Sequence, residues 1–221
     1  LVGRLGEDGK LVLEEMTLSI GEIANIEKII FVACGTAFHS GMIGKYAMER
    51  WTRIPCEVEL ASEFRYRDPI LNNRTLVVAI SQSGETMDTL MAIRHAKSQG
   101  AKVLAICNTQ GATIPRESDA VLYTRGGPEI AVASTKAFLT QVVAVELLSL
   151  YFAELRLDKP TAEIKQVMNE LANISHQIDV VLDTTDAVND LAKKYVNAQS
   201  VLFIGRHVGF PVALEGALKL K

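Results

Sequence analysis

The sequence predicts an α/β fold: a parallel sheet covered on both faces by helices, a three-layer αβα sandwich, followed by the start of a second copy of the unit. Two observations carry this. Short branched apolar runs, Ile29–Cys34, Leu76–Ile80 and Val103–Cys107, recur along the 221 residues, and each leads into a turn and then a helical pattern. The runs are apolar at consecutive positions, as in strands buried on both faces. Strands alternating with helices make the sheet parallel.

The elements follow in order. Gly6 to Gly9 reads as a polar turn before a short segment, Lys10 to Glu15. Ile29–Cys34 is a strand, Gly35-Thr36 a turn, and a helix runs from about His39 to Thr52 with Met42, Ile43, Tyr46 and Trp51 among its apolar positions. Cys56–Leu60 alternates, which suits an edge strand. Leu76–Ile80 is the next strand, and the helix Met87–Gln99 presents Leu90, Met91, Ile93 and Ala96 before Gly100 ends it. Val103–Cys107 is a strand, Asn108–Gly111 a turn, a short helix includes Pro115, and Ala120–Thr124 is a further strand.

A long helix begins near Ser134. Its run Ala137–Leu155 is interrupted by Gln141, Glu146, Ser149 and Glu154, so a buried core helix is expected rather than a membrane span. Leu157–Pro160 reads as a boundary, dividing the chain into 1–157 and 158–221. Beyond it, apolar residues from Ile164 to Leu182 repeat at helical spacing as a packing stripe. A helix covers about Asp186–Asn197, Val201–Gly205 is a strand with a glycine turn, and a helix lies near Pro211. This repeats the Ile29–Gly35 pattern and suggests a second unit, cut short at Lys221.

Composition narrows the function. The chain is 48% hydrophobic and 22% charged, as a globular core requires, and its net charge of -3 argues against general nucleic-acid binding. Cys34, Cys56 and Cys107 are too few and scattered for a disulfide framework, and no metal-ligand spacing stands out. A reduced cytoplasmic protein, with no metal and no cofactor, is the expectation.

The stretch richest in chemistry is Ser81-Gln82-Ser83-Gly84-Glu85-Thr86, between a strand and a helix N-terminus. Such a terminus offers unpaired N–H groups and a positive dipole end. Ser81, Ser83 and Thr86 supply hydroxyls, Gln82 an amide, and Gly84 close backbone approach. Phosphate binding is expected here, without the lysine of a nucleotide P-loop; an ordinary Ser/Thr helix cap is the plainer alternative. Glu85 should turn away, since a carboxylate repels a dianion.

The Gly35-Thr36 turn and the Asn108 turn also follow strands, so all three can face one crevice. Thr36 suits a sugar hydroxyl or a cap equally, and Cys34 reads as a buried small residue. Ser134 is an N-cap or a ligand contact, and Lys136 a solvated cation. His39, His95, His176 and His207 have no evident carboxylate partner and are read as structural. Lys219 is a surface lysine by default, and an acid, base or imine former only with a lowered pKa.

CGTAFHSG (34–41), ELASEFRYR (59–67), SQSGETMDTL (81–90), ICNTQGATIPRESD (106–119), EIAVASTKAF (129–138) and ALEGALKLK (213–221), taken in order, resemble the sugar isomerase (SIS) part of the glutamine–fructose-6-phosphate aminotransferases. The resemblance implies a SIS-type fold and a role in making glucosamine 6-phosphate from fructose 6-phosphate and ammonia released from glutamine on a separate glutaminase domain. It implies that Ser81, Gln82, Ser83 and Thr86 bind the sugar phosphate, that Thr36, the adjoining Ala37, Val132 and Ser134 contact the sugar, and that Lys219 lies close to the reacting carbons. Ala37 stands where relatives often carry serine, so one side-chain contact is lost. The family's glutamate after KLK, its ring-opening histidine and its imine-forming lysine are expected past Lys221, which would make this chain a binding fragment. A homodimer is implied, with the Ile164–Leu182 stripe packing between subunits or halves. A non-catalytic sugar-phosphate sensor and an ammonia-independent phosphosugar isomerase stay open as alternatives.

Overall fold

The computed structural model describes residues 3, 4, 6, 10–131, 133–157 and 161–221. Val132, most of the expected turn at Gly6–Gly9, and the boundary residues 158–160 lie outside the described residues.

A short helix, α1 (Ile20–Asn25), comes first. Ser19 and Glu22 close it as a capping box: Ser19 Oγ accepts from the Glu22 N–H while the Glu22 carboxylate accepts from the Ser19 N–H. Six residues are too few to show helical periodicity in the sequence. Five parallel strands follow: β1 (Lys28–Ala33), β2 (Cys56–Leu60), β3 (Thr75–Ser81), β4 (Lys102–Cys107) and β5 (Ala120–Tyr123), in the spatial order β2-β1-β3-β4-β5. Between them run α2 (Thr36–Thr52), α3 (Ala61–Arg67), α4 (Met87–Ser98) and α5 (Thr113–Glu117). The helices α6 (Lys136–Leu157), α7 (Thr161–Ala172), α8 (Ile174–Leu182), α9 (Thr185–Tyr195) and α10 (Gly209–Leu220) come after the sheet.

Alternation along each strand makes the two cores. Ile29 and Phe31 of β1, Val78 and Ile80 of β3 and Leu104 and Ile106 of β4 face Met48, Val145, Leu148 and Phe152 on α2 and α6. Ile30, Val32, Val77, Ala79 and Val103 face Phe64, Leu90, Ile93 and Ile114 on α3, α4 and α5. Each such large side chain contributes about 1.5–3 kcal/mol by leaving water. The expected three-layer sandwich is therefore the observed one. β2 is one of the two edge strands, and Arg67 pairs with Glu59 along it at 2.6 Å.

Two features depart from simple apolar patterning. α2 begins at Thr36, three residues earlier than expected, and its inner face includes Ser40, Gly41 and Gly44. A Cβ on Gly44 would collide with Val145, and one on Gly41 would lie 3.2 Å from the Phe31 Cβ. Close approach, to α6 at Gly44 and to the sheet at Gly41, buries this part of the face, and Met42 and Ile43 are only half-buried. By contrast α6 meets the expectation of a core helix: it is long and apolar enough to cross a membrane, but half of that stretch is buried inside the protein.

The region after α6 differs from the sequence reading. The Ile164–Leu182 stripe is two helices, not one. Ile164 and Met168 of α7 are buried with Trp51 and Leu147, whereas α8 has no buried residue. Val201–Gly205 is not a strand. Leu202 and Ile204 are 88% and 92% exposed. A strand exists only through a ladder partner, and the five strands described all pair elsewhere.

Candidate functional site

The strand order reverses between β1 and β3, and in such sheets ligands bind beyond the carboxyl ends at that point. Gly35-Thr36 leaves β1 there and the Ser81–Thr86 loop leaves β3 there. Between them lies a cavity of about 420 Å³. It is lined from α2 by Thr36 and Ala37, from the β3 loop by Ser81, Gln82, Ser83 and Thr86, from the entry to α6 by Ser134, and from α10 by Lys219. Every sequence-predicted site residue except Val132, which is not described, thus borders one cavity.

The β3 loop is shaped by its glycine. Gly84 has φ +70°, and a Cβ there would sit 2.6 Å from the Ala112 Cβ and 2.7 Å from Cys107 Sγ. The Gly84 N–H donates to Ser81 Oγ at 3.0 Å, and Ser81 Oγ and Thr86 Oγ1 share a hydrogen bond at 3.1 Å. That mutual bond uses one hydroxyl hydrogen and leaves one free. The Ser83 hydroxyl accepts from the Glu85 N–H at 3.2 Å, so its own hydrogen is also free. Thr86 precedes α4 without a side-chain cap, because its hydroxyl is turned toward Ser81. The cap reading for this loop is therefore displaced: its hydroxyls border the cavity and do not cap α4.

Glu85 does turn away. Its carboxylate accepts from the Thr113 N–H at 2.7 Å, at the start of α5, and that contact holds its carboxyl below the ordinary range. The carboxylate is thus held at the start of a second helix.

Ser134 is not an N-cap. Glu129 takes that place, accepting from the Ala137 N–H at 3.0 Å and from Thr135 Oγ1 at 2.8 Å. Ser134 Oγ is buried against the cavity with no partner among the described residues. A buried hydroxyl without a partner is uncommon and calls for a ligand or water.

Helix α10 brings a carboxylate that the sequence reading did not select. Glu215 is 5% exposed. Thr36 Oγ1 donates to Glu215 Oε1 at 2.9 Å, Lys219 Nζ donates to the same oxygen at 3.0 Å, and His39 Nδ1 meets Oε2 at 2.7 Å. Lys219 Nζ also donates to Thr36 Oγ1 at 2.8 Å. Burial raises the Glu215 carboxyl, but hydrogen bonds from His39, Lys219 and Thr36 outweigh it and hold the group below its ordinary value. The expectation that His39 lacks a carboxylate partner is overturned, while Lys219 is a surface lysine as expected, with its ammonium held by Glu215 and Thr36. Glu215 and Lys219 stand four apart on one helix face, which was the available signal. Nothing local pointed to His39.

Among the described residues, no three His, Cys, Asp or Glu side chains converge as a metal site. Cys34 also borders the cavity, and burial pushes its thiol pKa up, against the thiolate that a nucleophile needs.

Comparison with known proteins agrees with the architecture. The SIS domain family matches residues 22–151. The glutamine–fructose-6-phosphate aminotransferase [isomerizing] of Streptomyces coelicolor is 64% identical over the whole chain, which covers 36% of that relative. The enzyme of the same name from Corynebacterium glutamicum is 61% identical, again with 36% of its length covered. The C-terminal domain of glucosamine-fructose-6-phosphate aminotransferase from Francisella tularensis superposes with a TM-score of 0.93 at 38% identity, covering 99% of this chain and 61% of that one.

Proposed function

Since this chain belongs to the SIS domain family, we propose that it binds a hexose 6-phosphate as the isomerase region of an enzyme making glucosamine 6-phosphate from fructose 6-phosphate and glutamine-derived ammonia. The observation that carries the proposal is the convergence of the Ser81–Thr86 donors, Thr36, Ser134 and Lys219 on one cavity at the strand-order reversal.

The phosphate lies on the β3 loop. Ser83, the free hydroxyl hydrogen of the Ser81–Thr86 pair and the Gln82 amide donate to its oxygens, and the start of α4 faces it. Hydrogen bonds to a charged group contribute ~1.5–3 kcal/mol each, against ~0.3–1 for the helix end, so the hydroxyls carry more of the affinity. The sugar then extends toward Thr36, Ala37 and Ser134, with Val132 in the same segment. Ala37 offers only a methyl and its backbone. Lys219 places an ammonium by the reacting carbons, where it donates a hydrogen bond to a sugar oxygen and stabilises negative charge developing there.

The same proposal includes a glutaminase domain as the ammonia source, a cytoplasmic setting and a homodimer packed through the exposed apolar residues of α8 and α9. The three free cysteines are in keeping with a reducing compartment. It also divides the chain near residue 157, with a second SIS-type unit beginning beyond it. The end of the family match at residue 151 and of α6 at Leu157 supports that division.

Calorimetric titration with fructose 6-phosphate, glucosamine 6-phosphate and fructose tests the reading. Removing the phosphate should abolish binding, and Ser83→Ala should weaken fructose 6-phosphate by ~10-fold or more, as loss of 1.4 kcal/mol requires. Equal affinity for fructose and its phosphate would overturn it.

A further inference from the structure

The buried carboxylate of Glu215 joins helix α10 to the first turn of α2, and it does so through two groups that border the cavity, Thr36 and Lys219. We infer that Glu215 is a positioning residue that sets the hydrogen-bonding polarity of the sugar subsite, so that Thr36 and Lys219 together select a hydroxyl group on the ligand. The inference rests on the sugar-phosphate reading of the cavity.

A threonine hydroxyl has one hydrogen and two lone pairs. The Thr36 hydrogen is committed to Glu215 Oε1, and one lone pair takes a hydrogen from Lys219 Nζ. What remains is a lone pair, so Thr36 can face a ligand only as an acceptor. The Lys219 ammonium has three hydrogens, and two are committed, to Glu215 and to Thr36. One is left to donate.

Side by side, Thr36 and Lys219 therefore present one acceptor and one donor. A hydroxyl, which both donates and accepts, satisfies both. A carbonyl or ether oxygen satisfies only Lys219 and leaves the Thr36 lone pair unmatched.

Glu215 is what imposes this polarity. An ionised carboxylate is an acceptor only, so it draws the hydrogens of Thr36 and Lys219 toward itself. His39 completes the arrangement at Oε2 and keeps the carboxylate from turning. An amide at the same place would offer donors as well as an acceptor, and the Thr36 hydrogen would no longer be committed. Phosphate binding, which belongs to the β3 loop across the cavity, is independent of all this.

The test is a set of NMR titrations of the full chain with fructose 6-phosphate and, separately, inorganic phosphate. They are run on the wild type, Ser83→Ala, Glu215→Gln, Glu215→Asp and Thr36→Val, with thermal melts alongside. Glu215→Gln and Thr36→Val should each weaken fructose 6-phosphate by ~10-fold, the loss of one hydrogen bond in a charged network, and leave inorganic phosphate within ~2-fold. Glu215→Asp, which keeps the charge, should recover part of the sugar affinity, a rescue that a space-filling role would not show. Unchanged affinity of Glu215→Gln for fructose 6-phosphate would overturn the inference while the cavity reading stands. Equal loss of both ligands in Glu215→Gln would also overturn it, since the residue would then be holding the fold. A wild type that binds neither ligand, or a Ser83→Ala that binds both as the wild type does, would remove the underlying reading and the inference with it.

Discussion

Glu215 and His39 meet at 2.7 Å although 176 positions separate them in sequence. The contact ties the C-terminal helix α10 to the helix that leaves the first strand. It also places a buried charge directly behind the wall of the cavity, where Thr36 and Lys219 share it.

This contact makes the docking of α10 sensitive to acid. The Glu215 carboxyl sits below its ordinary value of 4.5, because its hydrogen-bond donors outweigh burial. A depressed carboxyl gives stability that is fully present above the unfolded value and is lost as pH falls through the folded one. Backbone hydrogen exchange in α10, corrected for intrinsic rates, should therefore stay protected from pH 7 down to about 4.5 and lose protection below it. In Glu215→Gln that acid step should be absent.

The loop at Gly84 should not accept a side chain. At φ +70° with Ala112 and Cys107 in the way, Gly84→Ala meets both backbone strain and a collision. Destabilisation above ~1 kcal/mol in a urea melt is expected, together with loss of inorganic phosphate binding as the loop shifts. A variant with wild-type stability and phosphate affinity would contradict the loop geometry.

Ser134 separates binding from folding. Its buried hydroxyl has no partner among the described residues, so Ser134→Ala removes no internal hydrogen bond. The melting temperature should be unchanged or slightly higher, while fructose 6-phosphate binds several-fold more weakly. A clear drop in stability would show that the hydroxyl holds the structure instead.

The thiols should react slowly and in order. Burial, aided by Glu49, pushes the Cys56 thiol up to about 12, and burial raises Cys34 and Cys107 as well. At pH 8, a disulfide reagent should leave Cys56 intact in the folded protein. Cys34, half-buried at the cavity, should label first, and fructose 6-phosphate should slow it.

Much of this protein is written locally in its sequence. Consecutive branched residues at Ile29–Ala33, Leu76–Ile80 and Val103–Cys107 state that these strands are covered on both sides, whatever covers them. Hydroxyls packed between a strand and a helix start single out the β3 loop as a candidate site, and a glycine among them marks a backbone that other residues cannot follow. These are short-range properties, settled within about ten residues.

What the tertiary structure decided is everything that depends on which distant segment arrives next to which. The inner face of α2 is buried through Ser40, Gly41 and Gly44, which no apolar count would choose, because α6 comes close at Ser40 and Gly44 and the sheet comes close at Gly41. Val201–Gly205 has the composition of a strand and is none, since strand formation requires a partner ladder and not only suitable residues. The grouping of Glu215, His39 and Lys219 follows the same rule. A carboxylate, an imidazole and an amine are each unremarkable as letters, and Glu215 becomes the shared partner of the other two only where folding brings α10 against α2.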